Sequence, residues 1–361
     1  MDRCDIVEYI RLSQVDFKNN IGGRVFATFL ARDVSVRLQK DKVTKFIVLN
    51  MVDKSTTVEA RLFGASDNDI ETIKEGGVFN AALDVKPYDK ASSGYSCIIY
   101  NIDKSNAPPE MFADWATDLD ESRNIINNVI NNYYDTIYGK IAYKIITKHW
   151  EKFSKWTAAS SMHHTKLGDL LKHTSEVVAI AEKLADYFNS LYCETFINKP
   201  LLLCTAIIHD IGKIQELDVD TLSGKTEYSA HAVLATHIMD GMREISVAAL
   251  DLGLGRSTIY DDEGNAICNR PDEEVQEEVE AINLMQHCLA AHHGKLEYGS
   301  PITASVPEAT ILAYADNLSA EMNRYNKAFE ELGPGEHTSS WASGQLIKMY
   351  KDTTKIDDIE V

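Results

Sequence analysis

The chain has 361 residues, of which 44% are apolar and 25% charged, with a formal net charge of −19 at pH 7. That length suits roughly two or three domains with full cores, and the composition excludes a disordered or fibrous chain. An acidic balance of this size repels nucleic acid at long range, so a large duplex-binding surface is excluded and any nucleic-acid partner must be held locally or through metal.

The charge is unevenly placed: residues 1–105 hold 15 basic and 15 acidic side chains, leaving 21 and 40 for the remainder. No apolar run approaches the roughly 18 residues of a membrane span, and MDRCDIVEYIRLSQ lacks the apolar stretch of a signal peptide. A cytoplasmic protein with no membrane partner is the expectation. The six cysteines (Cys4, Cys97, Cys193, Cys204, Cys268 and Cys288) form no C-x-x-C pair, which argues against a disulfide framework or a cysteine–zinc site. Cys204 and Cys288 fall inside apolar helical patterns and read as core thiols.

In chain order, residues 6–104 read as strands. VFATFLARDVSVRL, KFIVLNMVD, TTVEARLFG, VFNAALDVKPYD and YSCIIYNID are β-branched or aromatic runs separated by Gly, Asp, Lys and Ser. Five strands with a helical turn at about 66–75 predict a small Greek-key barrel of the OB type over residues 1–105. Basic and aromatic residues interleave in its first half, Arg24, Phe26 and Phe46 among them, as a groove for single-stranded nucleic acid requires. The alternation of core and solvated barrel faces explains the same residues equally well. Residues 106–122, with a Pro-Pro pair and an acidic stretch, read as a linker.

From 123 to 331 the pattern is helical, with apolar residues at three- and four-residue steps in RNIINNVINNYYDTIYGKIAYKIITKHWEKF, SEVVAIAEKLADYFNSL, EEVEAINLMQHCLAAHH and PEATILAYADNLSAEMNRYNKAF. Residues 251–275 read as an exposed insertion between two helices, and 332–361 as a C-terminal tail without a strong core pattern until QLIKMY. The fold class predicted is therefore two-domain and mixed: an all-β OB-type barrel followed by an all-α bundle.

The chemistry gathers around His209-Asp210, an imidazole and a carboxylate at the end of the apolar helix LLLCTAII. Neighbours on a helix diverge by about 100°, so both can face one ion only where the backbone presents them to a cleft. A buried His-Asp pair needs compensation for lost water, and a divalent metal supplies it. His173 and Asp316, on other predicted helices, complete a mixed N/O set of the kind bundles use for metal. Spacing alone does not prove that they converge, since a lone helix histidine is more often a surface or satisfied core residue.

The pattern H…HD…D with HDIGK resembles the HD superfamily of metal-dependent phosphohydrolases. MHHTKLGDLLKHT, AAHHGKLEYGSP and EATILAYADNLSAEMN resemble, more specifically, the YhaM-type 3′→5′ exoribonucleases, which join an N-terminal OB-fold to a C-terminal HD domain. The resemblance spans roughly 20–330. It implies His173, His209, Asp210 and Asp316 as ligands of a principal metal, with Asp210 bridging to a second ion where one is present. It also implies His237 and His292 as ligands of that second ion. His293 is implied as a ligand or phosphate contact, and Lys213 as a phosphate contact whose alternative is a solvated helix-end cation. His163 and His164 precede the first ligand helix, and His164 is a candidate on the phosphate path.

The chain departs from the family phrase in three places. Asp169 stands where a glycine is expected; a solvated aspartate and a contact to a further ion are the alternatives. DNLSAE replaces DNLDAK, with Ser319 and Glu321 in place of an acid and a base. The 251–275 insertion is longer than usual.

The implied function is metal-dependent 3′→5′ release of nucleoside 5′-monophosphates from single-stranded RNA, with DNA as a second substrate, by water activated on one or two divalent ions. Mixed imidazole and carboxylate donors favour Mn²⁺, Fe²⁺ or Co²⁺ over Mg²⁺, and Mn²⁺ is the ion expected. Tyr298, after the histidine pair, is a candidate to stack on the terminal base; loop packing is the alternative. Two rivals stand beside this reading: a phosphohydrolase of small or cyclic nucleotides, and a non-enzymatic single-strand binder with a vestigial HD bundle. A homo-oligomer through the insertion or the 123–155 helices is left open.

Overall fold

The computed structural model describes residues 9–54, 56–74, 77–88, 94–159, 166–221, 224–260, 264, 266–342 and 345–353. These form two compact units, one of residues 1–115 with 220–225 and the other of residues 116–219 with 226–361.

In the first unit, a two-residue strand β1 (Ile10–Arg11) lies beside β2 (Arg24–Leu38), which continues through β3 (Lys45–Asp53) and β4 (Thr56–Phe63); helix α1 (Asp67–Lys74) precedes β5 (Gly77–Pro87) and β6 (Tyr95–Lys104). The sheet order is β1-β2-β3-β4-β6-β5, and the β2–β5 pairing closes it into a barrel. Closure removes exposed edges, and β2 can serve both neighbours because it runs for 15 residues with a bulge between Arg32 and Ser35. Period-two alternation turns Ala27, Phe29, Ile47, Leu49, Met51, Phe79, Ala81, Leu83 and Val85 inward, and Ile70 and Ile73 of α1 join them.

The segment expected to be a linker begins on the barrel instead. Phe112 is buried against Leu30 and Val78, with Ala107 beside it. Arg11 stacks 3.9 Å over the Phe112 ring, donates to the Met111 carbonyl (2.6 Å) and pairs with the buried Asp53. Two prolines had signalled chain irregularity, but not an aromatic anchor seated among outward-facing barrel side chains.

The second unit contains α2 (Leu119–Tyr133), α3 (Ile137–Phe153), α4 (Asp169–Leu191), α5 (Lys199–Ile208), the single turn α6 (Lys213–Glu216), a short pair β7 (Leu217–Val219) and β8 (Thr226–Tyr228), and α7 (His237–Asp251). A hairpin of β9 (Thr258–Tyr260) and β10 (Ala266–Asn269) precedes α8 (Asp272–Ala290) and α9 (Pro307–Glu331), and a second hairpin, β11 (His337–Ala342) with β12 (Gln345–Tyr350), follows. Every residue of α5 from Leu201 to Ile208 is buried, as only a helix surrounded by others can be. It packs against α2, α3, α4, α8 and α9. Asn198 caps it by accepting from the Leu201 amide (3.1 Å).

Two segments carry more structure than their sequence patterns predicted. The insertion is pinned at its base, where Arg270 donates twice to Glu278 (2.7 and 2.6 Å) and the Gly255 amide donates to the same carboxylate (2.8 Å). The tail forms its hairpin over buried Met349, and Lys351 donates to the Phe329 and Leu332 carbonyls (2.6 Å each), which α9 leaves without helical partners.

One close approach fixes how α7 meets the turn after α5. A Cβ on Gly212 would lie 2.1 Å from the His237 carbonyl oxygen, so the first residue of α7 sits directly on that glycine. Gly212→Ala should therefore push His237 away while α5 stays folded. The expected outcome is a loss of stability of about 2 kcal/mol or more in denaturant titration, in the range of overpacked cores.

A second tie joins α3 to α7. Glu244 is nearly buried, with Lys148 Nζ at 2.8 Å and His149 Nε2 at 2.9 Å. His149 first, then Lys148, hold its pKa down from 4.5 to about 2 against the opposing effect of burial. A depressed carboxylate contributes stability that is complete above its unfolded pKa and is lost as pH falls through the folded one. Glu244→Gln should thus cost on the order of 2 kcal/mol near neutral pH. Its melting curve should converge with that of the parent as pH falls from 4.5 toward about 2.

Candidate metal centre

Five helices of the second unit deliver seven potential ligands to one place. His173 lies one turn into α4, Asp316 lies within α9, His237 opens α7, and His292-His293 follow the end of α8. His209-Asp210 occupy a tightened turn after α5, where Ile211 N bonds Ile208 O (3.1 Å) and Lys213 N bonds Asp210 O (3.0 Å). These three-residue bonds wind the chain more tightly than an α-helix, which changes the angle between the adjacent side chains.

The ligands fall into two groups, one of His173, His209, Asp210 and Asp316 and one of His237, His292 and His293, each with potential ligand atoms within 4.8 Å of one another. His173 Nε2 is 3.0 Å from Asp316 Oδ1 and 3.5 Å from Asp210 Oδ2; His209 Nε2 is 3.3 Å from Asp210 Oδ2. The other oxygen of the same carboxylate, Asp210 Oδ1, faces His237 Nε2 at 3.6 Å and His292 Nε2 at 3.8 Å. Asp210 thus presents one oxygen to each group.

Every imidazole is turned by its other nitrogen. His209 Nδ1 meets the Ala206 carbonyl (2.7 Å), His292 Nδ1 the Leu289 carbonyl (2.6 Å), His293 Nδ1 the Tyr298 carbonyl (2.8 Å), and His237 Nδ1 the Glu216 carboxylate (2.8 Å). His173 Nδ1 meets Ser319 Oγ (2.9 Å), whose hydroxyl donates to Glu176 (2.7 Å), leaving the serine oxygen to accept. These acceptors assign the proton to Nδ1 in all five rings and aim the Nε2 lone pairs inward.

That convergence is suited to a cation. His237 Nε2 and His293 Nε2 stand 3.2 Å apart, and with both Nδ1 atoms protonated two lone pairs oppose one another. His209 Nε2, His292 Nε2 and Asp210 Oδ1 are buried without a hydrogen-bond partner among the described residues. Unpartnered buried acceptors cost about 1–3 kcal/mol each. A divalent ion held by such a group would satisfy them, and imidazole-rich sites with carboxylate suit Mn²⁺, Fe²⁺, Co²⁺ or Zn²⁺.

Proton affinities differ between the groups. Burial disfavours the charged form of His209, yet the Asp210 and Asp316 carboxylates outweigh it and push its pKa up to about 10; His173 is raised in the same way. Burial, aided by neighbouring imidazoles, instead drives His292 well below its ordinary value and lowers His293. Burial opposes ionisation of Asp210, but Lys213 and His209 hold its carboxyl well below the usual range. Lys213 Nζ lies 2.6 Å from Asp210 Oδ2, so the lysine expected as a phosphate contact is engaged by this carboxylate rather than solvated.

Other residues singled out in the sequence fall elsewhere. Asp169 is buried and accepts from the Lys166 amide (2.6 Å), so it is a helix-entry acceptor rather than a solvated aspartate. His163 and His164 lie outside the described residues. Tyr298 is half exposed, its carbonyl orienting His293. In the barrel unit, Arg24 pairs with Asp84 (2.7 Å) and lies 4.1 Å from the Tyr100 ring centroid, while Phe26 meets Tyr9 edge-on. Phe46 stacks on Phe63, with ring centroids 5.4 Å apart, and is paired with Arg37 at the far end of β2 from Arg24 and Phe26. Glu216, Glu176 and Ser319 carry no metal-ligand signature in the sequence. Their only signals are Glu216 three residues past Lys213 and Ser319 and Glu176 each one helical step from a ligand.

An HD-domain family model matches residues 170–321, which contain both groups. The chain is 28% identical over 310 residues to the 3′-5′ exoribonuclease YhaM of Bacillus subtilis (strain 168), covering 85% of this chain and 88% of that protein. It is 26% identical over 310 residues to the protein of the same name from Bacillus pumilus (strain SAFR-032), with the same coverages. A shorter match, 32% identical over 207 residues, links 57% of the chain to 54% of the YhaM of Geobacillus sp. (strain WCH70). With a barrel preceding the HD-domain match, the chain is similar to the YhaM-type 3′-5′ exoribonucleases through most of its length.

Proposed function

We propose that this protein is a metal-dependent 3′→5′ exonuclease that removes nucleoside 5′-monophosphates from single-stranded RNA, and from DNA as a second substrate, with Mn²⁺ as its ion. The observation that carries the reading is Asp210, whose two oxygens face two histidine groups while Oδ1 has no hydrogen-bond partner among the described residues. The relatives' name, 3′-5′ exoribonuclease, supplies the substrate class and direction.

When bound, divalent ions there supply charge neutralisation for phosphate and lower the pKa of water from about 15.7 toward neutrality. The chain's own residues do the rest. His173, His209 and Asp316 would hold the first ion, and His237, His292 and His293 the second, with Asp210 common to both. The Nδ1 acceptors keep the rings from turning, so little reorganisation is needed during reaction. Lys213, the cation held against Asp210, is the candidate to exchange that contact for a phosphate oxygen. On the barrel, Arg24 and Phe26, together with Phe46, are the candidate strand contacts, where cations follow phosphates and rings stack on bases.

The decisive assay uses 5′-labelled RNA and DNA oligonucleotides with Mn²⁺ or chelator. A progressively shortening ladder is expected with Mn²⁺ and none with chelator; internal cuts would overturn trimming from the 3′ end, and turnover of free nucleotides alone would favour the small-nucleotide rival. Asp210→Ala should lower turnover by a factor of about 10³ or more, as loss of an ion-binding carboxylate predicts. Strand binding should remain measurable.

Metal binding has a readout independent of turnover. Mn²⁺ at about 100 times its dissociation constant should stabilise the folded protein by about 2.7 kcal/mol. The resulting rise in melting temperature should be lost in Asp210→Ala; an unchanged shift would remove Asp210 from the ligand set.

A further inference from the structure

Next to the second histidine group is an open cavity of about 330 Å³, bounded by His293 with the loop that follows it and by α9. The two sides of α9 divide the work. Ala309, Leu312, Ala315 and Ser319 are buried, and Asp316 reaches the metal centre from beside them. Thr310, Ala313, Tyr314 and Asn317 repeat at i, i+3, i+4 and i+7 and therefore share a face, which lines the cavity. The cavity residue Asn317 directly follows the ligand Asp316.

The lining is aromatic and polar. Tyr314 is 70% exposed and Tyr298 42% exposed, large rings whose faces are not consumed by the core. The Tyr298 backbone is tied to His293 through its carbonyl, and Lys295 Nζ lies 4.9 Å from the centroid of the Tyr298 ring. None of the described lining residues is acidic, in a chain whose net charge is −19. The volume lies at the small end of ligand pockets, which run from roughly 300 to 1,000 Å³.

We propose that this cavity seats the nucleoside at the reacting end of the substrate, its base stacked on Tyr314 and bonded at its edge by the Asn317 amide, its phosphate toward His293. The inference rests on the nuclease reading and deepens it by naming the subsite and the ligand class, a nucleoside 5′-monophosphate. Stacking is indifferent to base identity, and an amide offers both a donor and an acceptor, so the pair accepts every base in turn. Lys295 adds positive charge at the rim.

The test is isothermal titration, with Mn²⁺ present, of adenosine 5′-monophosphate and of ribose 5-phosphate, which lacks the base. The parent should bind the nucleotide roughly 10-fold or more tightly than the sugar phosphate, as expected for one stacked base. Tyr314→Ala should erase that preference while leaving the dissociation constant for ribose 5-phosphate unchanged. Tyr314→Phe should keep the preference, and Asn317→Ala should reduce it. The exposure of Tyr314 makes unfolding an unsuitable explanation, and equal melting temperatures would check this. No preference in the parent, no nucleotide binding, or a preference that survives Tyr314→Ala would overturn the inference. A strand ladder without a base preference removes the cavity proposal alone. A base preference erased by Tyr314→Ala, without any strand ladder, supports the cavity and removes the polymer reading.

Discussion

Seven ligand side chains can share the inside of a helical bundle only if their free rotations are removed before any ion arrives. Here that constraint is met at Nδ1. Three rings use main-chain carbonyls and two use side chains, and all five project Nε2 toward Asp210 or toward each other. Main-chain acceptors are the more rigid choice, because moving the Ala206 or Leu289 carbonyl means bending a helix end. The two rings held by side chains are also the two at helix beginnings, His173 in the first turns of α4 and His237 at the first position of α7. There the backbone exposes amides rather than carbonyls, so an acceptor must be brought from elsewhere. Glu216 and the Ser319–Glu176 pair supply it.

The Ser319–Glu176 pair also gives the serine of DNLSAE a structural role. A serine hydroxyl alone is a neutral acceptor for an imidazole N–H. Donating its own proton to Glu176 polarises the oxygen and connects His173 to a carboxylate through the hydroxyl. The hydroxyl thus links the negative charge of Glu176 to His173 and keeps the ring directed.

The barrel strands and the long helices were legible because their signals are local: period two in the strands and three- to four-residue steps in the helices survive without knowledge of partners. HDIGK was legible because the motif is contiguous, and Gly212 within it has a physical reason in the His237 carbonyl that lies against it. What escaped was long-range. Phe112 becomes an anchor only once Leu30 and Val78 form an outward patch, and the tail hairpin is stabilised by Lys351 reaching carbonyls of α9. Asp169 read as solvated because the acceptor role of a carboxylate toward a backbone amide three residues earlier leaves no periodic trace. Ser319 and Glu176 are 143 residues apart, and nothing in either neighbourhood marks the pairing.

Charge placement explains how so acidic a chain can handle an anionic ligand. The excess acid belongs to residues outside 1–105, yet the carboxylates nearest the centre are occupied: Asp210 by Lys213, Asp316 by His173, Glu216 by His237. Each ion added contributes two positive charges in surroundings where water is scarce and screening is weak. Distant surface carboxylates, by contrast, act through solvent and are attenuated beyond about 8 Å at physiological ionic strength. Ions held at these groups would set the local field together with Lys213, while the acidic balance of the rest of the chain repels polyanions. On the proposed function, an electrostatic penalty for nonspecific contact, combined with attraction confined to the buried centre, would favour a chain end over adsorption along its length.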